Sequence, residues 1–172
     1  MLISKEAIEA KTKELAERIS RDYKGKDLLV VGVLKGSVIF ASELIKNITI
    51  PCEIDFMAVS SYGSFSETTG VVRILKDLDS EISGKHILIV EDIVDSGVTL
   101  SYLLNYLKTR NASSVEIASL LTKPSRRKVD IDCKYVGFET PDEFLVGYGL
   151  DYAEKYRNLP FIGILKREVY EK

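Results

Sequence analysis

The chain has 172 residues, 45% of them hydrophobic and 29% charged, the composition of a folded globular protein with enough chain for a substantial core. Its 24 basic and 26 acidic residues leave a formal net charge of −2, which gives no general electrostatic basis for nucleic-acid binding. No stretch approaches the roughly 20 apolar residues of a membrane span, the first helix lacks an apolar signal core, and Cys52 and Cys133 lack metal-ligand spacing, so reduced thiols and a cytoplasmic location are expected.

Residues 4–22 predict an amphipathic helix with Ile8, Leu15, Ala16 and Ile19 as its apolar stripe, ended by Lys24-Gly25-Lys26. A buried strand at 28–34 turns through Lys35-Gly36-Ser37 into a helix at about 38–46, and 52–59 makes the next strand. Residues 60–70 are rich in Ser, Thr and Gly without apolar periodicity, which predicts a loop with a mobile tip, and a strand at 71–76 leaves it. The central strand is 87–90, followed by a helix at 98–109 whose Leu100, Leu103, Leu104 and Leu107 are spaced i, i+3, i+4, i+7. Further strands are expected at 115–121, 134–138 and 161–165. This alternation argues for a three-layer α/β fold around a mostly parallel sheet. There is no repeat, low-complexity tract or linker, so 1–172 is expected to be one domain. The irregular region after 140 is expected to form a small hood, with the N-terminal segment and 140–172 as its main parts.

Residues 87–100 are the most informative stretch. Four apolar residues are followed by the carboxylates Glu91 and Asp92, then by Asp95 and a small polar turn of Ser96, Gly97, Val98 and Thr99 before the helix. The open N-terminus of a helix presents unpartnered backbone N–H groups and partial positive charge, which suit a phosphate. Gly97 permits close backbone approach, and Ser96 and Thr99 add hydroxyl donors. No G-x-x-x-x-G-K-[ST] spacing is present, so the turn suits a monophosphate better than a triphosphate. Taken alone, Asp-Ser-Gly favours an ordinary strand-to-helix loop with a Ser or Asp cap. The acidic pair argues for more: adjacent carboxylates at the end of a buried strand do nothing for a core, but they can accept from a ribose diol and hold Mg²⁺. Ligands of open α/β sheets bind at the carboxyl ends of the strands.

The segment 90–100, Val-Glu-Asp-Ile-Val-Asp-Ser-Gly-Val-Thr-Leu, closely resembles the phosphoribosyl pyrophosphate (PRPP) motif of type I phosphoribosyltransferases. Other segments narrow the resemblance to the hypoxanthine-guanine phosphoribosyltransferase family: Leu34-Lys35-Gly36-Ser37, Ser61-Tyr62-Gly63, Leu121-Thr122-Lys123, and Phe138-Glu139 through Gly147-Tyr148-Gly149-Leu150-Asp151-Tyr152 with Arg157-Asn158-Leu159-Pro160. They stand in family order over nearly the whole chain. The resemblance implies a type I phosphoribosyltransferase fold with a hood and a flexible lid loop. It implies Mg²⁺-dependent transfer of the phosphoribosyl group from PRPP to hypoxanthine or guanine, giving IMP or GMP and pyrophosphate.

The same resemblance implies roles for individual residues. Glu91 and Asp92 align with the ribose and metal pair, and Asp95, Ser96, Gly97, Val98 and Thr99 with the 5′-phosphate loop. Asp95 also aligns with the general base near N7 of the purine; its alternative role is an N-cap for the following helix. Lys35 and Gly36 align with the pyrophosphate loop, where a cis peptide between Leu34 and Lys35 is implied, and Arg157 aligns with a pyrophosphate-binding arginine. Lys123 aligns with the donor to purine O6, Phe144 with the aromatic that stacks on the base, and Leu145 with a backbone reader of the base edge. Asp151 aligns with a further Mg²⁺ ligand lying near the base, and Arg127 with an arginine close to ligand and subunit contact. Ser61 and Tyr62 head a lid that excludes water. Many relatives have Gly where this chain has Ser37. The family forms dimers and tetramers, so a homodimer or homotetramer is expected.

Two other readings compete with this enzyme. A PRPP- or nucleotide-sensing regulator of the same fold would need a basic face or an added binding module, and need not keep Lys123, Phe144 and Asp151. A dinucleotide-dependent oxidoreductase is excluded because no G-x-G-x-x-G follows any strand.

Overall fold

A computed structural model describes residues 1–62 and 71–171. The first helix, α1 (Lys5–Asp22), begins where the Ser4 hydroxyl accepts the Ala7 N–H at 3.1 Å. Its buried stripe includes Thr12 and Ser20, whose hydroxyls donate to the carbonyls of Ile8 and Ala16 at 2.7 Å each, so neither carries an unpaired polar group into the core.

Six strands form one sheet: β1 (Leu28–Leu34), β2 (Glu53–Tyr62), β3 (Val71–Lys76), β4 (His86–Val94), β5 (Ser114–Thr122) and β6 (Tyr135–Glu139). Their order is β3-β2-β1-β4-β5-β6, with every pair parallel except β2 and β3. The central strands are apolar on both faces because both faces are covered. On one face Val30, Leu88, Val90, Ala118 and Tyr135 pack under α1 and α2 (Val38–Asn47). On the other, Leu29, Val31, Ile87, Ile89 and Ile117 pack against Leu100, Leu103 and Leu107 of α3 (Val98–Lys108). The chain leaves β1 toward β2 on one side and β4 toward β5 on the other. The carboxyl ends of β1 and β4 therefore flank a switch point, where a crevice opens.

Three elements differ from expectation. β4 extends to Val94, so the acidic pair lies inside the strand; pairing with β5 continues through Val94 and Thr122 and the Lys123 N–H donates to Val94 O at 2.9 Å. β2 continues through Ser61 and Tyr62, which pair with Val72 and Val71, so these two residues head the expected loop from a strand; residues 63–70 of that loop lie outside the described residues. The strand expected at 161–165 reduces to β8 (Gly163–Ile164), antiparallel to β7 (Leu145–Val146) in a separate two-stranded sheet that joins the N-terminal segment through an Ile3–Ile162 bridge. A short helix, α4 (Arg167–Tyr170), follows.

The end of α1 is fastened to the sheet edge by Tyr135, whose fully buried ring lets its hydroxyl donate to Asp22 Oδ2 at 2.6 Å. Burial and the Asp22 partner both push the Tyr135 hydroxyl far above its ordinary pKa. Tyr135→Phe is expected to lower unfolding free energy by about 1.5–3 kcal/mol, the range for a hydrogen bond to a charged group. Urea unfolding checks this; an unchanged midpoint and slope would show the bond to be replaced by water.

Candidate active site

At the end of β1 the Leu34–Lys35 peptide is cis, and Gly36 sits between two close neighbours. A Cβ on Gly36 would overlap Asp92 Oδ2, and a Cβ on Gly149 would overlap the Gly36 carbonyl oxygen. The expected pyrophosphate loop, the acidic pair of β4 and the 147–149 turn thus meet at one glycine. Ser37 is fully buried with its hydroxyl unpartnered, so it packs inward.

Glu91 is buried, and its carboxyl is pushed well above the ordinary range, first by burial and then by the adjacent Asp92. Asp92 is raised as well by burial, opposed first by hydrogen bonding to Glu91 and to the Ile93 N–H and last by the Arg157 charge. Two neighbouring carboxyls in a low-dielectric site resist ionising together unless a cation joins them. Beyond them, Gly97 takes φ 85° as the N-cap of α3. Asp95 is therefore not the helix cap. A cavity of about 220 Å³ is lined by Glu91, Ile93, Asp95, Ser96, Gly97, Thr99 and Leu100. Helix bonding starts with Ser101 N–H to Gly97 O, leaving the N–H groups of the turn without intrahelical acceptors. The turn is braced from behind: Arg127 donates to Asp95 O at 3.2 Å and to Thr122 Oγ1 at 2.7 Å, and Lys128 N–H donates to Ser96 O at 2.9 Å.

Adjoining this is a cavity of about 270 Å³ lined by Ile93, Asp95, Lys123, Arg126, Phe144, Leu145, Leu150 and Asp151. Lys123, buried at the end of β5, donates to Glu143 O at 2.6 Å, which aims an ammonium with spare donors along the wall. Phe144 is held by Tyr152 at 5.6 Å edge-on and by Tyr170 at 5.0 Å. Leu145 is buried in β7. A larger groove of about 610 Å³ between α1 and α2 is lined by Glu6, Glu9, Lys13, Glu43 and Lys46 among others, and holds none of these residues.

Arg157 donates to Gly149 O at 2.7 Å and pairs with Asp151 at 3.4 Å and Glu154 at 3.1 Å. Lys35 reaches Glu154 at 3.1 Å, and the two cations hold the Glu154 carboxyl below its ordinary range. Asp151 does not join Glu91 and Asp92 in one cluster: among the described residues no three His, Cys, Asp or Glu side chains group as a metal cage. The side chains of Ser61 and Tyr62 lie outside what the structure describes.

The profile of the phosphoribosyl transferase domain matches residues 2–153. The chain belongs to the phosphoribosyltransferase family. This phosphoribosyltransferase is 54% identical over 171 residues to a hypoxanthine-guanine phosphoribosyltransferase of Bacillus subtilis, covering 99% of this chain and 95% of the relative. It is 54% identical to one from Streptococcus agalactiae, covering 100% of this chain and 96% of the relative. A crystal structure of a hypoxanthine phosphoribosyltransferase from Staphylococcus aureus superposes with a TM-score of 0.98 at 53% identity, covering 100% of this chain and 94% of that one.

Three residues of the phosphoribosyltransferase site have no signal in the sequence. Arg126 pairs with Asp95 at 2.9 Å and with Asp142 at 3.3 Å, and Glu154 bridges Lys35 and Arg157. Each is a surface charge until the fold brings its partner beside it.

Proposed function

We propose that this phosphoribosyltransferase is a purine-salvage enzyme that transfers the phosphoribosyl group of PRPP to hypoxanthine or guanine, releasing pyrophosphate and IMP or GMP. The carrying observation is the adjacency of the two cavities: a phosphate-type turn beside an acidic pair, and next to it a pocket with an ammonium, an aromatic ring and the Asp95 carboxylate. The names of the relatives support the same chemistry.

In this reading the N–H groups and hydroxyls of 96–99 hold the 5′-phosphate, and Glu91 and Asp92 accept from the ribose diol. Lys35, Gly36 and Arg157 take the pyrophosphate. Phe144 stacks on the base, a contact worth about 1–3 kcal/mol in nucleic-acid sites. Leu145 and Asp151 lie at its edge. Lys123 donates to O6 and cannot accept from a 6-amino group. Asp95 manages the proton at N7 as the ring nitrogen bonds to ribose. Ser61 and Tyr62 form the base of a lid that excludes water from the cationic ribose. Mg²⁺ fits the all-oxygen, mutually repelling Glu91–Asp92 pair, with Asp151 as a separate ligand beside the pyrophosphate residues, and would supply charge stabilisation to the leaving group. A sensor would have no use for the Lys123 and Phe144 wall.

We read residues 1–172 as one catalytic domain. A cytoplasmic location is supported by two unpaired cysteines and by the lack, among the described residues, of a helix long and apolar enough to cross a membrane. Assembly into a homodimer or homotetramer is supported by Ile39 of α2, Ile54 of β2 and Leu75 of β3, large apolar side chains 37%, 54% and 59% exposed.

The test is Mg²⁺-dependent pyrophosphate release from PRPP with hypoxanthine, guanine, xanthine and adenine supplied separately. Turnover with the first two and none with adenine is expected; no turnover with any 6-oxopurine ends the proposal. Lys123→Met is expected to lower kcat/KM for hypoxanthine about ten- to hundredfold, the equivalent of one charged hydrogen bond. An undiminished preference for hypoxanthine over adenine would remove Lys123 from the O6 role.

A further inference from the structure

We propose that Asp142, Arg126 and Asp95 form a relay in which Arg126 positions the Asp95 carboxylate for proton transfer, making Arg126 and Asp142 positioning residues of the reaction. The proposal rests on the assignment of Asp95 as the base. Arg126 Nε lies 2.9 Å from Asp95 Oδ1, and its Nη1 donates to Asp142 Oδ1 at 3.3 Å. Asp95 Oδ1 is closed to solvent and, among the described residues, makes no hydrogen bond of good geometry, so Arg126 is the group that covers it. The Asp95 side chain as a whole is 46% exposed, so its accessible oxygen is Oδ2, on the carboxylate that lines both cavities. One oxygen is thus taken by a cation, and the other is left to face a substrate.

The side chains suit this task better than they suit stability. An ion pair exposed to this extent contributes about 0–1 kcal/mol to folding, so holding the chain together is a weak reason for it. A guanidinium has a planar fork of donors and can satisfy two carboxylates from fixed directions, which an ammonium does less well. A base oriented by a third group is the general logic of catalytic constellations. Placement adds to the argument. Arg126 ends the single 3₁₀ turn Pro124–Arg126, its N–H bonded to Lys123 O at 3.1 Å. The residue proposed to hold O6 and the residue holding the base therefore share one rigid turn, so a purine seated on Lys123 meets Asp95 already oriented.

The test is steady-state kinetics of the full chain and its Arg126→Ala, Asp142→Asn and Asp95→Asn variants, with hypoxanthine and PRPP varied separately. Arg126→Ala is expected to lower kcat about tenfold, within the range that a misplaced catalytic group produces. KM for PRPP should stay near the parent value, and millimolar guanidinium should restore part of the lost kcat. Asp142→Asn should move kcat in the same direction by less, and guanidinium should not restore Asp95→Asn. Parental kcat in Arg126→Ala beside an impaired Asp95→Asn overturns the relay and leaves the base assignment standing. So does a loss in Arg126→Ala that is matched in KM for PRPP and indifferent to guanidinium, which marks a structural role. Parental activity in Asp95→Asn overturns the base assignment and the relay with it.

Discussion

Asp95→Asn is expected to lower kcat by roughly 10²–10⁴-fold, the span attributed to a positioned acid or base, while changing KM for PRPP little. Asn keeps the size and shape of the side chain but loses its charge and its capacity to take a proton. The 5′-phosphate turn does not depend on the Asp95 side chain. Its helix is capped at Gly97, and its brace runs from Arg127 to the Asp95 backbone carbonyl, which the substitution keeps. The pairing with Arg126 loses one charge, but both side chains are about half exposed, so the effect on stability should stay within about 1 kcal/mol. Thermal unfolding near that of the parent, together with separate titrations of PRPP and hypoxanthine, distinguishes lost chemistry from lost structure. A large rise in KM for PRPP with kcat intact would place Asp95 in phosphate binding instead.

The stretch that carries Asp95 was legible because its signals are local. A buried apolar run, two carboxylates without a core function and a glycine turn before a helical pattern all fall within 87–100. What the pattern hid was that β4 continues past the acids to Val94; strand propensity argues against Glu and Asp, and only pairing with β5 carries the ladder on. Residues 161–165 misled for the opposite reason. They read as a buried strand, but they pair with the two-residue β7 and through a lone bridge at Ile3, and pairings that short leave no periodic trace. The pairs Arg126–Asp95 and Lys35–Glu154 were invisible because contact between charges distant in the chain is a property of the fold. Tertiary closeness also explains what Gly36 is for, which its place in a Leu-Lys-Gly-Ser turn does not reveal.

Gly36→Ala is expected to reduce kcat/KM for PRPP by about a hundredfold or more and to lower stability by about 1–3 kcal/mol, the usual effect of overpacking. The new methyl group would occupy the position of Asp92 Oδ2. Asp92 has little freedom to withdraw, because its other oxygen accepts the Ile93 N–H at 2.8 Å. The loop cannot retreat the other way, because its carbonyl already lies against Gly149, where a Cβ has no room. One of three things must move: the acidic pair, the pyrophosphate loop or the 147–149 turn; the first two are assigned to PRPP, and the third holds Arg157 through Gly149 O. Gly25→Ala separates this effect from backbone strain. Gly25 has φ 76° with nothing within 4 Å of an added Cβ, so alanine there should lower stability through conformation alone and leave kinetics at the parent level. Adding Asp92→Ala to Gly36→Ala should relieve the overlap and recover stability without recovering PRPP affinity. If Gly36→Ala alone binds PRPP as the parent does, the close approach of loop and carboxylate is not what holds the pyrophosphate end of the substrate.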